Sequence, residues 1–259
     1  MEVCVDSLQS VVAAYEGGAN RIELCSSLNE GGLTPSYGLL QSIRKHFEKQ
    51  NQTGLPVNCM VRCRAGDFSY SDFEIETMTE DLKKFVELEV DGLVFGALTT
   101  DGYVDTSIMK EFLSLIPSQT KKTFHRAFDV GSDWKLNFES IEELGFDYLL
   151  TSGCARTAYE GRLTIGQLID MRDSMKSKLR IIAGAGVNAS NLAEILKETK
   201  CDEFHASCRS AYKSNMKFRN AQVCMGSPLL DEFETKHTDK ILVKQLADIY
   251  SSFKSNRNS

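Results

Sequence analysis

The chain has 259 residues, 42% of them hydrophobic, enough for one large barrel or two small domains to bury a core. A net charge of −6 gives no global attraction to nucleic acid or acidic membranes, and no apolar stretch could span a bilayer, so neither partner is expected. The eight cysteines lack the spacing of a secreted disulfide scaffold, and no leader-like segment precedes the first strand. They are therefore expected to be free thiols in a reducing cytoplasmic or nuclear setting.

The first expected element, residues 2–5, carries Glu2-Val3-Cys4. The second, residues 21–25, repeats the phrase as Glu23-Leu24-Cys25. Alternate strand residues share a face, so each Glu lies on the same side as its Cys. In neighbouring strands about 4.8 Å apart, the two sulfurs would suit a metal that bonds thiolates at roughly 2.3 Å. Such ligands favour Cu(I) or Zn(II). The competing reading is plain burial, which is common for free cysteine.

Further strands are expected at 56–62, 92–96, 122–125, 148–152, 180–184 and 203–207. Helical spacing is clearest at 72–88, with Phe73, Ile75, Met78, Leu82, Phe85 and Val86, and at 188–198, with Leu192, Ile195 and Leu196. Eight strands each followed by a helix predict a (β/α)8 TIM-type barrel, with residues 1–259 as one domain. An open doubly wound sheet would place a glycine fingerprint after strand one, where Asp6-Ser7-Leu8-Gln9 has no glycine. A weak internal echo supports the count of eight: Asn20, Asp91, Asp147 and Asp202 each stand just before an even-numbered strand. After strand eight comes a long ordered connection, 208–234, with Arg209, Lys213, Met216, Lys217, Phe218, Arg219, Val223 and Met225. It is expected to cover the site or meet another subunit, and a helix at 238–253 follows.

The inward positions of this barrel are unusually polar. They are Glu2 and Cys4, Glu23 and Cys25, Thr123 and His125, Glu203 and His205, with Arg62 and Ser152 in the same phase. Buried carboxylates need partners, and Arg62 and the two histidines are the expected ones. Cys4, Cys25, Arg62, His125, Ser152 and His205 fall at the C-terminal strand ends, where barrel sites form. His125 or His205 could move a proton or bind a metal, with Glu23 tuning them. Arg126, in the opposite phase, is expected to pair with a carboxylate outside the barrel. Gly184-Ala185-Gly186 follows strand seven, so its backbone N–H groups could receive an anion together with Arg62 and Ser152. No C-x-x-C pair supports a structural zinc site.

These phrases in this order resemble the CutC family of copper homeostasis proteins along nearly the whole chain. The matching phrases are Met1-Glu2-Val3-Cys4-Val5-Asp6, Gly17-Gly18-Ala19-Asn20-Arg21-Ile22-Glu23-Leu24-Cys25 and Glu30-Gly31-Gly32-Leu33-Thr34-Pro35-Ser36. They continue with Gly66-Asp67-Phe68, Asp91-Gly92-Leu93-Val94-Phe95-Gly96, Phe124-His125-Arg126-Ala127-Phe128-Asp129, Leu150-Thr151-Ser152-Gly153, Glu203-Phe204-His205 and Met216-Lys217-Phe218-Arg219-Asn220. The resemblance implies a TIM-type barrel, a copper-linked cytosolic role, homo-oligomers (dimers or tetramers), and Cys4 and Cys25 as Cu(I) ligands. Two positions depart from the family phrase: Cys63 stands where proline is expected, and Ala185 interrupts a run of glycines.

Two functions therefore compete. One is a Cu(I)-binding protein that buffers or delivers copper through Cys4 and Cys25. The other is a barrel enzyme on a small anionic or phosphorylated substrate, with His125 and His205 as acid and base. Arg62, Ser152, Gly184 and Gly186 would then hold the anion.

Overall fold

The structure is a computed structural model, described here for residues 1–201, 203–220, 222–223 and 231–257. Eight short parallel strands alternate with helices: β1 (Glu2–Val5), α1 (Leu8–Gly17), β2 (Arg21–Leu24), α2 (Tyr37–Lys49), β3 (Val57–Met60), α3 (Asp72–Glu87), β4 (Gly92–Phe95) and α4 (Thr106–Ser114). The second half continues with β5 (Lys121–Phe124), α5 (Trp134–Glu143), β6 (Tyr148–Thr151), α6 (Arg162–Ser174), β7 (Arg180–Ala183), α7 (Leu192–Thr199) and β8 (Glu203–Ala206). Each strand pairs with the next, and β8 returns to β1, so the sheet closes into the expected TIM-type barrel.

The strands read as nearly continuous apolar runs because they are covered on both faces. Outward residues such as Val3, Val5, Ile22, Leu24, Leu93, Phe95, Phe124, Leu149 and Phe204 form the main core with the helices. Inside the barrel the apolar cluster is small: Cys25, Met60 and Val94, with Leu28 against them. The rest of the interior is polar, and it builds the site.

Most predicted strands overran their ladders by one residue, and the third by two. Cys25, Arg62, Gly96, His125, Ser152, Gly184 and Ser207 all lie just past the paired segment. There the chain leaves the wall: Cys25, Arg62, His125 and Ser207 stay on the interior side, while the Ser152 hydroxyl is taken up within its loop. The helix expected from Asn188 starts at Leu192, because the Asn188 carboxamide oxygen accepts bonds from Ser190 N (2.9 Å) and Ser190 Oγ (2.6 Å). That local turn competes with helix. Phe73, read as part of the α3 stripe, is exposed; Met78, Leu82 and Phe85 make the buried face.

The echo before the even strands has a physical role. Asn20 accepts the Met1 ammonium (2.8 Å), Asp91 accepts Val57 N (2.8 Å) and Asp147 accepts Lys122 N (3.0 Å). Each side chain thus ties the start of the preceding odd strand; Asp202 lies outside the described residues.

After β8 the chain is not simply a long connection. β9 (Arg209–Lys213) and β10 (Glu234–Thr238) form an antiparallel ribbon, pairing Arg209 with Thr238. Met225 and Cys224 lie outside the described residues. The last helix, α8 (Lys240–Arg257), starts two residues later than expected because Thr238 still belongs to the ribbon. Among the described residues no helix is long and apolar enough to cross a membrane.

Candidate functional site

The inward face of β2 begins with Arg21, which stands opposite Glu2 of β1. Its guanidinium bonds Glu2 (2.6 Å) and Glu203, and Arg180 from β7 also pairs with Glu203. The Arg21 and Arg180 guanidinium groups both lie over the Tyr148 ring, at 4.7 and 5.7 Å. This network corrects the expectation that Arg62 and the histidines would neutralise the carboxylates. Arg21 and Arg180 serve Glu2 and Glu203, and His205 joins at Glu2. The signal for Arg21 was present, since it shares the phase of Glu23 and Cys25.

One step nearer the mouth, His205 lies between two carboxylates. Its Nδ1 is 2.8 Å from Glu2 Oε1, and its Nε2 is 3.8 Å from Glu23 Oε2. Burial opposes the charge of Glu2, yet Arg21 and His205 hold its carboxyl down to about 2. Burial also works against an imidazolium, but Cys4 and Glu23 raise His205 well above its ordinary value. Glu23 is pushed up by burial, and Oε1 of Glu23 has no partner among the described residues.

Cys4 completes this group. Cys4 Sγ, a Glu23 oxygen and a His205 ring nitrogen lie within 4.8 Å of one another. The register sets Cys4 across from Glu23, not from Cys25. Cys25 sits one position beyond the end of β2, its Sγ 3.5 Å from Glu23 Oε2, and is wholly buried against Met60 and Gly32. Burial, Glu23 and Cys4 push the Cys25 thiol well above its ordinary range. The donor set of thiol, imidazole and carboxylate suits a thiophilic ion. Glu2 holds Nδ1 of His205, so Nε2 is the atom that could serve a metal once its proton is lost, the arrangement usual for metal-binding histidine.

Above this cluster opens a cavity of about 500 Å³. Arg62 enters it from β3. Its Nη1 donates to the carbonyls of Glu30 (2.9 Å) and Gly32 (3.2 Å), and its Nη2 to that of Gly66 (2.9 Å). The guanidinium lies 4.7 Å from the Phe68 ring. His125 packs edge-on to Phe68 and accepts a bond at Nδ1 from Ala127 N (3.3 Å). Its ring needs Gly96, where an added Cβ would come within 2.8 Å of Nδ1. Burial, then Arg62, pushes His125 down to about 3, so it is neutral at physiological pH and carries its proton on Nε2.

Arg126 pairs outside the strand with Asp129 (2.7 Å), as its phase suggested, and donates to Ser152 Oγ (3.0 Å). Ser152 Oγ in turn donates to Ala155 O (2.6 Å), so this hydroxyl is occupied within the loop. On the far side of the cavity, Ala185, Gly186, Val187 and Ser207 form the wall.

The fold thus gathers Cys4, Glu23, Arg62, His125, Gly186 and His205 around one cavity. Cys25 lies just behind Glu23, while Gly184 and Ser152 stay outside the lining. Phe68 stood in the sequence only within the Gly66-Asp67-Phe68 phrase; its place against Arg62 and His125, and the reach of Arg209 from the ribbon to the cavity, were not legible there.

Comparison with known proteins agrees with this architecture. The model of the CutC family matches residues 1–210. A mouse (Mus musculus) protein named copper homeostasis protein cutC homolog is 45% identical over 95% of this chain and 87% of its own length. A family protein CutC from Bacteroides fragilis is 41% identical over 98% of this chain and 97% of its own. The solved structure of CutC from Streptococcus agalactiae superposes with a TM-score of 0.72 at 32% identity, covering 80% of this chain and 97% of that one.

Proposed function

The chain belongs to the CutC family, and we propose that it serves copper homeostasis by holding one Cu(I) ion at the barrel mouth, for buffering or delivery. Cys4 and Cys25 supply the sulfur ligands in this reading, with His205 Nε2 beside them. The observation that carries it is the convergence of Cys4, Glu23 and His205 within 4.8 Å, with Cys25 Sγ 3.5 Å from Glu23. Copper is the cargo here, and the residues act on it by simple ligand chemistry. A metal takes thiolates and releases their protons, and Glu23 is the nearest acceptor of the Cys25 proton. Cys4, Cys25, Cys59, Cys63, Cys154 and Cys208 are free thiols, which supports a reducing cytoplasmic or nuclear setting in this reading.

The same reading includes a homo-oligomer. Met216, Phe218 and Val223 follow the ribbon strand β9 and are exposed, an apolar group of the kind that a subunit contact would cover. Light scattering of the purified chain, with Phe218→Ser for comparison, tests this; a monomer in both would end it.

The experiment for copper is an anaerobic Cu(I) titration against a competing chelator. Wild type should bind one ion per chain, and Cys4→Ser/Cys25→Ser should bind none. Equal or negligible binding by both proteins would reject the site.

A further inference from the structure

Copper binding uses one wall of the cavity and leaves another set of groups without work. Four buried side-chain atoms around this cavity have no partner among the described residues: Glu23 Oε1, Arg62 Nε, His125 Nε2 and Arg209 Nε. Glu23 belongs to the copper cluster, and the other three are donors. Arg62 and His125 are each more than nine-tenths buried. The Arg62 guanidinium has its other nitrogens on backbone carbonyls, and among the described residues no carboxylate lies within ion-pair distance of it. Unpaired buried donors are costly unless something accepts from them.

The opposite wall carries donors of a second kind. Among the described residues, the backbone N–H groups of Ala185, Gly186, Val187 and Ser207 have no protein acceptor. Two of them are turned by anchored carbonyls. Ala185 O accepts from Ala158 N (2.9 Å), and Gly186 O accepts from Asn188 Nδ2 (3.0 Å) and Asn191 Nδ2 (2.9 Å). In a trans peptide the N–H points opposite to its carbonyl, so Gly186 N and Val187 N face away from those anchors. Ala185 and Gly186 both adopt left-handed backbone, with φ of 79° and 68°. The two residues make the bend after β7, and successive N–H groups at a turn can form an anion-binding concavity. For an alanine this is a strained choice, and strain of this kind gathers at ligand sites.

We propose that this cavity binds a small phosphomonoester. The N–H groups of Ala185, Gly186, Val187 and Ser207, with Arg209 Nε, receive the phosphate, and Arg62 Nε and His125 Nε2 donate to an oxygen at the organic end. A phosphate is favoured over a carboxylate by the number of donors on the β7–β8 wall, since its three terminal oxygens accept from all of them. Of the carboxylates nearby, Asp129 is paired with Arg126, the Glu30 side chain accepts from Ser27, and Glu23 lies in the Cys4–His205 cluster. Asp6 stands 3.8 Å from Arg209 Nη2 and leaves Arg209 Nε without a partner among the described residues. About 500 Å³ holds a compact metabolite and lies within the usual range for such sites. The proposal does not depend on copper, because none of its donors is a copper ligand.

The test is a backbone 15N NMR titration of the full chain with inorganic phosphate, glycerol 3-phosphate and glycerol. Both phosphates should shift the amides of Ala185, Gly186, Val187 and Ser207 to saturation, and glycerol should not. Glycerol 3-phosphate alone should also move His125 Nε2. Arg62→Met should weaken glycerol 3-phosphate by about tenfold, the loss of one charge-assisted bond, and leave inorganic phosphate unchanged. Cys4→Ser/Cys25→Ser should bind both phosphates as wild type does. Unmoved wall amides, or equal shifts with glycerol, would overturn the proposal. Equal loss of both phosphates in a folded Arg62→Met protein would overturn its two-ended arrangement.

Discussion

His205 Nδ1 lies 2.8 Å from Oε1 of Glu2, its direct partner across the seam where β8 closes on β1. The two residues are 203 positions apart in sequence, so only closure of the barrel brings them together. Glu2 is in turn held by Arg21 and by Asn58 Nδ2 (3.0 Å), which leaves the imidazole one orientation, with Nε2 toward Cys4 and Glu23.

This relationship predicts that Glu2→Gln weakens Cu(I) binding without touching a ligand. Outer partners of a metal-binding histidine are typically worth about 10- to 100-fold in affinity. Chelator competition should show that loss with one-to-one stoichiometry retained. Wild-type affinity in the variant would remove His205 from the site.

Arg21 is the hub of the buried charge network, so Arg21→Met leaves Glu2 and Glu203 short of a partner. Breaking a buried pair from one side costs about 3–5 kcal/mol. Urea unfolding should show that loss, and Arg21→Met/Glu2→Leu should recover part of it, because the stranded charge is then gone. No recovery would mean that Arg21 acts through packing over Tyr148 alone.

The folded state keeps His125 neutral down to about 3, against about 6.5 in the unfolded chain. Between those values the unfolded state binds the extra proton, so the His125 contribution is complete above 6.5 and declines as pH falls toward 3. Glu2 adds its own decline only below 4.5, toward about 2. His205 has the opposite sign: its contribution is present below 6.5 and lost as pH rises through its raised folded value. His125→Gln should therefore flatten the decline between pH 6.5 and 4.5 in urea midpoints measured across pH. An unchanged slope would refute the assignment.

Gly161 and Gly153 meet where the loop after β6 enters α6. A Cβ at Gly161 would stand 1.9 Å from Ser152 O, which is backbone and cannot move aside cheaply. Gly161→Ala should destabilise by about 1–3 kcal/mol or more, as overpacking does. A neutral result by thermal unfolding would show that this loop readjusts freely.

Ala185 pays for its left-handed backbone, with φ at 79°. Ala185→Gly removes the Cβ conflict, worth about 1–2 kcal/mol for an L-residue, against an entropic cost of about 0.5–1 kcal/mol. The net expectation is a gain of up to about 1.5 kcal/mol in urea unfolding. A loss would mean that the Ala185 methyl is itself a packing element.

The alternation of short apolar strands with helices was enough to identify the barrel, since parallel strands covered on both faces need that pattern. Period-two phase also identified Glu2, Cys4, Glu23, Arg62, His125 and His205 as inward, and the motifs identified the family. What the chain could not disclose alone was who faces whom. Parallel strands are joined by long crossovers that carry no register information, so the stagger of the closed barrel is a property of the whole sheet. That stagger set Cys4 beside Glu23 rather than Cys25, gave the carboxylates to Arg21 and Arg180, and left Arg62 with backbone carbonyls. The sequence pointed to Gly184-Ala185-Gly186 as an anion cradle, but which N–H groups of the β7–β8 wall stay free depends on where the carbonyls of Ala185 and Gly186 are anchored from other loops. Local pattern determines which residues enter the interior, and long-range closure decides their partners, because each partner comes from a different strand.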